Sequence, residues 1–160
     1  MPVDDLMADM YLLVDQMCNE AGLAWYELSN WSKPGHECQH NIAYWKSANW
    51  WGLGPGAHSH IDKKRFWNVK HPTAYKQKLF AKESPIADSE DLTDEQLRDE
   101  SIMLAIRMRS GLSLDLLSSA AQERVMQYQS SGHLNQIDGK LQLTAQGRMI
   151  ADRLVREALG

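Results

Sequence analysis

Leu134-Asn135-Gln136-Ile137-Asp138-Gly139-Lys140-Leu141-Gln142-Leu143 reads as a β-hairpin. Apolar residues alternate with polar ones, and Asp138-Gly139 supplies the two positive-φ residues that a tight hairpin turn requires. Downstream, Thr144 caps a final helix through Met149, Ile150, Leu154, Val155 and Leu159. Upstream, Thr93 and Gln96 form a capping box. It opens a helix through Leu97, Leu104, Ala105 and Met108 that stops at Gly111. Ser113 caps a short helix across Leu114 to Leu117, and a third helix runs from about Ala120 to Tyr128 before Gly132. Three helices, a hairpin and a helix predict a winged-helix-like domain over residues 86–160.

The segment Glu83-Ser84-Pro85-Ile86-Ala87-Asp88-Ser89 reads as a linker through its Pro, Ser and Asp content. Charge changes there too. Residues 1–85 hold nine Lys/Arg against nine Asp/Glu, whereas residues 86–160 hold eight against twelve and carry the whole net charge of -4. The boundary is therefore drawn at 85/86. The first part opens with a helix whose Leu6, Met10, Leu13, Val14, Met17 and Ala21 recur at helical spacing until Gly22. A short strand, Leu23 to Leu28, follows. Helix, glycine turn and strand make one αβ unit of a sheet with helices packed outside. One such unit cannot cover both faces of a parallel strand, so the first part is incomplete by itself. The fold class expected for the whole chain is α+β.

A second strand is expected at Trp50-Trp51-Gly52-Leu53, running into Gly54-Pro55-Gly56-Ala57-His58-Ser59. Glycines at a strand end let backbone approach a ligand closely, since no Cβ intervenes. Pro55 and the lack of a following helix start make this run a poor dinucleotide fingerprint. A basic stretch, Lys63-Lys64-Arg65, and a helix from Ala74 to Phe80 complete this part.

Composition removes several classes. The 160 residues are 43% hydrophobic and 24% charged, enough for a folded core. No stretch approaches the roughly 18 consecutive apolar residues of a membrane span. Met1-Pro2-Val3-Asp4-Asp5 is acidic where a signal peptide is basic. Two cysteines beside eight methionines point to a reducing, cytoplasmic setting. Nucleic acid is excluded as a partner: phosphate binding needs a basic face, and Glu123 and Arg124 cancel on the candidate recognition helix.

All six tryptophans lie between Trp25 and Trp67, and five of six histidines between His36 and His71. Such density suggests a flat-walled apolar site as well as core filling. His36-x-Cys38-x-His40 would place three donors on one side of an extended chain. Zinc needs a fourth ligand, and no second Cys/His pair stands at a familiar spacing, so isolated structural histidines are the expectation.

The stretch Tyr26-Glu27-Leu28-Ser29-Asn30-Trp31-Ser32-Lys33-Pro34-Gly35-His36-Glu37-Cys38-Gln39-His40-Asn41-Ile42-Ala43-Tyr44-Trp45, followed by Gly52 to Ser59, resembles the oxygen-independent coproporphyrinogen III oxidase-like radical S-adenosylmethionine family. Within it, His40-Asn41-x-x-Tyr44-Trp45 resembles the heme chaperone branch, and true coproporphyrinogen dehydrogenases less well. Leu143-Thr144-x-x-Gly147-Arg148 is similar to the family's C-terminal domain. The resemblance therefore covers nearly the whole chain.

By that resemblance, residues 1–85 are the last elements of a partial (β/α) barrel that precedes the winged-helix-like domain. A family member ligates a [4Fe–4S] cluster through Cys-x-x-x-Cys-x-x-Cys and binds S-adenosylmethionine on it. Cys18 and Cys38 cannot supply that motif. The chain is thus expected to be the C-terminal part of a longer protein, with both cofactors belonging to the parent and its missing N-terminal half a partner. Cluster-free, it starts no radical, so no catalytic residue is assigned. The resemblance makes His40, Asn41, Tyr44 and Trp45 a heme-binding segment, with His40 as the heme-iron ligand. It places Gly54, Gly56, Ala57 and His58 in a loop beside S-adenosylmethionine. Lys63, Lys64 and Arg65 either meet porphyrin carboxylates or form a solvated run. Three functions follow: heme binding with transfer to a client protein, oxidative decarboxylation of coproporphyrinogen III propionates, or a structural domain without a ligand.

Overall fold

The computed structural model describes residues 4–160. They form two compact units, residues 46–98 and residues up to 45 together with 99–160. Among the described residues, no helix is long and apolar enough to cross a membrane.

Helix α1 (Asp4–Glu20) lies where the periodicity places it, and the chain leaves it through Gly22 at φ +76°. Its apolar stripe is not buried: Leu6, Met10, Leu13 and Met17 are 48–59% exposed. Strand β1 (Ala24–Glu27) also forms as expected, but its partner corrects the parallel αβ reading. It pairs antiparallel with β2 (Asn30–Ser32), with Trp25 opposite Trp31. Only Leu28 and Ser29 separate the strands, which suits a hairpin and is far too short for a parallel crossover. Helix α2 (Gln39–Trp45) follows.

Strands β3 (His58–Ile61) and β4 (Lys64–Asn68), helix α3 (Pro72–Phe80) and strand β5 (Ile86–Asp91) come next. The three strands make an antiparallel sheet in the order β3-β4-β5. Two expectations are corrected here. Trp50 to Leu53 is not a strand, and Trp50 makes a single bridge to His60. Gly52 is the reason. Its N–H donates to Ser59 Oγ at 2.9 Å, and a Cβ on it would stand 2.0 Å from the His58 carbonyl oxygen, so the chain crosses β3 at close range. Second, the expected linker contains β5, paired with β4 from Asn68 opposite Ile86 to Lys64 opposite Asp91. All six β5 side chains are exposed, so main-chain pairing and not apolar burial holds the strand, and composition carries no sign of it.

Helix α4 (Asp94–Ala105) opens with the expected capping box. Thr93 N–H donates to Gln96 Oε1 (2.8 Å), and Gln96 N–H donates to Thr93 Oγ1 (3.2 Å). It ends at Ala105, short of Met108. Then come β6 (Leu112–Ser113), a 3-10 turn over Leu114–Leu116, and α5 (Ser119–Ser130), capped by Ser118. The hairpin is β7 (Leu134–Ile137) and β8 (Lys140–Leu143), turned by Asp138 at φ 50° and Gly139 at φ 75°. Strand β6 adds to it in the order β6-β8-β7. The final helix is broken in two, α6 (Ala145–Met149) and α7 (Ala151–Leu159), at Ile150 with φ -118° and ψ 23°. Ile102, Ile106, Leu112, Val125, Leu141 and Leu154 are fully buried at the centre of this part. Their burial is the main source of its stability.

Candidate functional site

Helix α2 begins where the Ile42 N–H donates to the Cys38 carbonyl at 2.9 Å. His36 and Cys38 therefore precede the helix and His40 lies inside it, so the three do not share one extended face. Among the described residues, no three His, Cys, Asp or Glu side chains gather to hold a metal ion. Cys18 is partly buried, Cys38 exposed, and both are free thiols. The residues present do not fit an iron–sulfur cluster. Just before the helix, the Glu37 carboxyl is held below its ordinary value by its own N–H and that of Gly35, which donates at 3.1 Å.

The helix sorts its polar and aromatic residues by face. Asn41 turns inward, its Nδ2 donating to the hydroxyl of buried Tyr26 on β1 at 3.3 Å. His40 turns outward and is exposed. Tyr44, four residues on, stands edge to face with it, ring centroids 5.0 Å apart at 86°. Tyr44 is 41% exposed and Trp45 half-buried. The result is a solvent-facing imidazole beside an aromatic edge, on a helix pinned from behind. Such an imidazole can bind a metal centre through a ring nitrogen, while neighbouring rings cover a flat apolar body.

The glycine loop belongs to the other unit. Gly54 and Gly56 adopt φ of 107° and 70°, conformations that glycine adopts without a Cβ penalty. The loop's polar groups are turned inward. Gly54 N–H donates to the Tyr75 hydroxyl (3.3 Å), Gly56 N–H to the Val69 carbonyl (2.9 Å) and Ala57 N–H to the Gly54 carbonyl (3.3 Å). Asn68 Nδ2 donates to the Gly54 carbonyl at 2.9 Å. His58 stacks on Trp67 at 5.6 Å. The loop is rigid, and it offers a wall and an exposed imidazole.

Sequence reasoning missed a buried ion pair. Arg148, on α6, donates from Nη1 and Nη2 to both oxygens of Asp15 on α1 at 2.9 and 2.5 Å. Trp31 Nε1 adds a third donor at 2.6 Å. The guanidinium lies over the Trp25 and Tyr11 rings at 4.7 and 5.5 Å. Burial alone would push the Asp15 carboxyl up. The hydrogen bonds from Arg148 and Trp31 and the Arg148 charge outweigh it and hold the group below its ordinary value. Arg148 stood in the Thr144-x-x-Gly147-Arg148 motif, but nothing near it in sequence names Asp15.

The HemN C-terminal domain family matches residues 92–150. The heme chaperone HemW of Mycobacterium tuberculosis (strain ATCC 25618 / H37Rv) is 45% identical over 159 residues, covering 99% of this chain and 41% of that protein. The heme chaperone HemW of Bacillus subtilis (strain 168) is 28% identical, covering 100% of this chain and 44% of its own length. The solved coproporphyrinogen III oxidase (HemN) from Escherichia coli, a radical SAM enzyme, superposes with a TM-score of 0.69. That match covers 93% of this chain and 40% of the other at 16% identity, a likeness of fold. The chain spans about two fifths of the length of the curated relatives it matches. Its similarity to the HemW proteins runs nearly end to end, and residues 92–150 are similar to the HemN C-terminal domain.

Proposed function

We propose that this chain supplies the heme-binding segment of a longer radical S-adenosylmethionine-type protein that passes heme to a client. The observation that carries the reading is the exposed His40 imidazole edge to face with Tyr44, on a helix anchored through Asn41. His40 would hold the heme iron through a ring nitrogen, Tyr44 and Trp45 would cover the porphyrin, and Asn41 sets the orientation of the helix. The heme chaperone name of the relatives supports heme as cargo.

A longer parent accounts for the bare apolar stripe of α1, which the remaining three fifths of such a protein would cover. There, the elements up to β5, which pairs with β4 across the boundary expected at 85/86, are the last of a partial (β/α) barrel, and those from α4 onward are a winged-helix-like domain, working in the cytoplasm without nucleic acid. The cluster and S-adenosylmethionine belong to the rest of the parent. The loop of Gly54, Gly56, Ala57 and His58 borders that cofactor as a wall, since its own N–H groups of Gly54, Gly56 and Ala57 are engaged internally. The oxidase alternative has in its favour the HemN C-terminal domain match over residues 92–150 and the 16% identical fold likeness.

A hemin titration of the 160-residue chain tests the reading. Wild-type protein is expected to shift the Soret band, and His40→Ala to weaken binding by about tenfold or more through loss of the Fe–N bond. His36→Ala and His58→Ala leave the spectrum nearly unchanged. Identical spectra and affinities for wild type and His40→Ala would remove His40 from the iron.

A further inference from the structure

We propose that a cavity on the β3-β4-β5 sheet is a second porphyrin site, one that holds the dicarboxylate macrocycle without bonding its metal. This deepens the porphyrin reading above and rests on it.

The cavity measures about 740 Å³, within the range of small-molecule pockets. Its apolar walls are Trp51, Ile61, Phe66 and Ile86. Trp51 and Phe66 meet edge to face, centroids 5.4 Å apart at 75°. The Trp51 side chain is nevertheless 65% exposed, so a broad indole face stands in water at the mouth of an apolar cavity. A flat apolar body laid on that face removes both surfaces from water and gains aromatic contact.

The rim supplies the polar half. Lys63 and Lys64 are consecutive at the β3–β4 turn and line the same cavity. Each ammonium rests in a solvent-exposed ion pair, Lys63 with Asp94 at 2.5 Å and Lys64 with Asp91 at 3.7 Å. Exposed pairs are weak, so both lysines can exchange partners at little cost. Asp62 and Asp91 line the cavity too: the Asp62 carboxylate accepts from Asn49 Nδ2 at 3.0 Å, and Asp91 is the partner that Lys64 gives up to a ligand carboxylate. Two adjacent cations beside a flat apolar wall match two carboxylates on one edge of a planar macrocycle. No histidine, cysteine, methionine or tyrosine lines the cavity, so the wall offers no imidazole, sulfur or phenol ligand. The cavity therefore accepts metal-free porphyrin, in contrast to the His40 segment, which holds the iron.

The full chain is titrated with metal-free protoporphyrin IX, read by porphyrin fluorescence, with far-UV circular dichroism confirming that each variant folds. Trp51→Ala and the double variant Lys63→Gln with Lys64→Gln are each expected to weaken binding by about tenfold or more. The dimethyl ester of protoporphyrin IX binds wild type as weakly as the free acid binds the lysine variant. The proposal falls if wild type does not bind, if Trp51→Ala or the lysine variant binds as wild type does, or if ester and acid bind alike. Loss at Trp51 without loss of hemin ligation at His40, or the reverse, separates failure of this site from failure of the heme reading.

Discussion

Asp15→Ala is expected to lower the unfolding free energy by about 3–5 kcal/mol, the usual result of stripping one partner from a buried ion pair. Asp15 and Arg148 are 8% and 5% exposed, so neither group is solvated when the other is lost. Arg148 would remain charged between the Trp25 and Tyr11 rings without the carboxylate that both its Nη groups bond. Urea unfolding followed by far-UV circular dichroism measures the loss. The double variant Asp15→Leu with Arg148→Met is expected to recover most of it, since no charge is then left buried. If Asp15→Ala unfolds at the wild-type urea midpoint, the pair does not clamp α1 to α6.

The same pair sets an acid limit. The folded-state value of Asp15 is lowered, so its contribution is complete above the unfolded carboxylate value, about pH 4. It is lost as pH falls through the lower folded value. Wild-type stability should therefore fall below about pH 4 more steeply than that of Asp15→Asn.

Gly147→Ala is expected to cost about 3 kcal/mol or more, from overlap with backbone. A Cβ at this position would lie 1.9 Å from the His133 carbonyl oxygen and 3.3 Å from Leu143 Cδ2. That carbonyl cannot swing away freely, because it accepts the Thr144 N–H at 3.0 Å and the Thr144 hydroxyl at 3.2 Å. The neighbouring exposed substitution Gln146→Ala should stay within about 0.5 kcal/mol. Thermal unfolding of the two variants against wild type measures the difference, and equal midpoints would show that α6 shifts without cost.

What the sequence disclosed was what short segments decide. The Asp138-Gly139 turn, the Thr93/Gln96 box and the Thr144 cap are complete within a few residues, and each formed as expected. Pairings were hidden. Strand β5 carries no apolar alternation, β6 is two residues long, and β2 follows β1 across a turn that composition does not mark. The break at Ile150 and the ion pair across 133 residues belong to tertiary packing, which overrides the continuous apolar pattern from Met149 to Leu159. For the site, resemblance singled out His40, Asn41, Tyr44 and Trp45. Their arrangement as outward and inward faces depends on a helix start at Gln39 that no capping motif announced. The Trp51 cavity was unreadable, since it joins residues from three strands and a loop.

Heme binding at α2 turns on an Fe–N bond from the side chain of residue 40. Chemical rescue tests it most directly: hemin-loaded His40→Gly protein is titrated with free imidazole while the Soret band is followed. The variant is expected to show an altered Soret band that returns to the wild-type position as imidazole fills the space of the missing ring, while wild type does not respond. A His40→Gly spectrum already identical to wild type, or one that imidazole leaves unchanged, would contradict it.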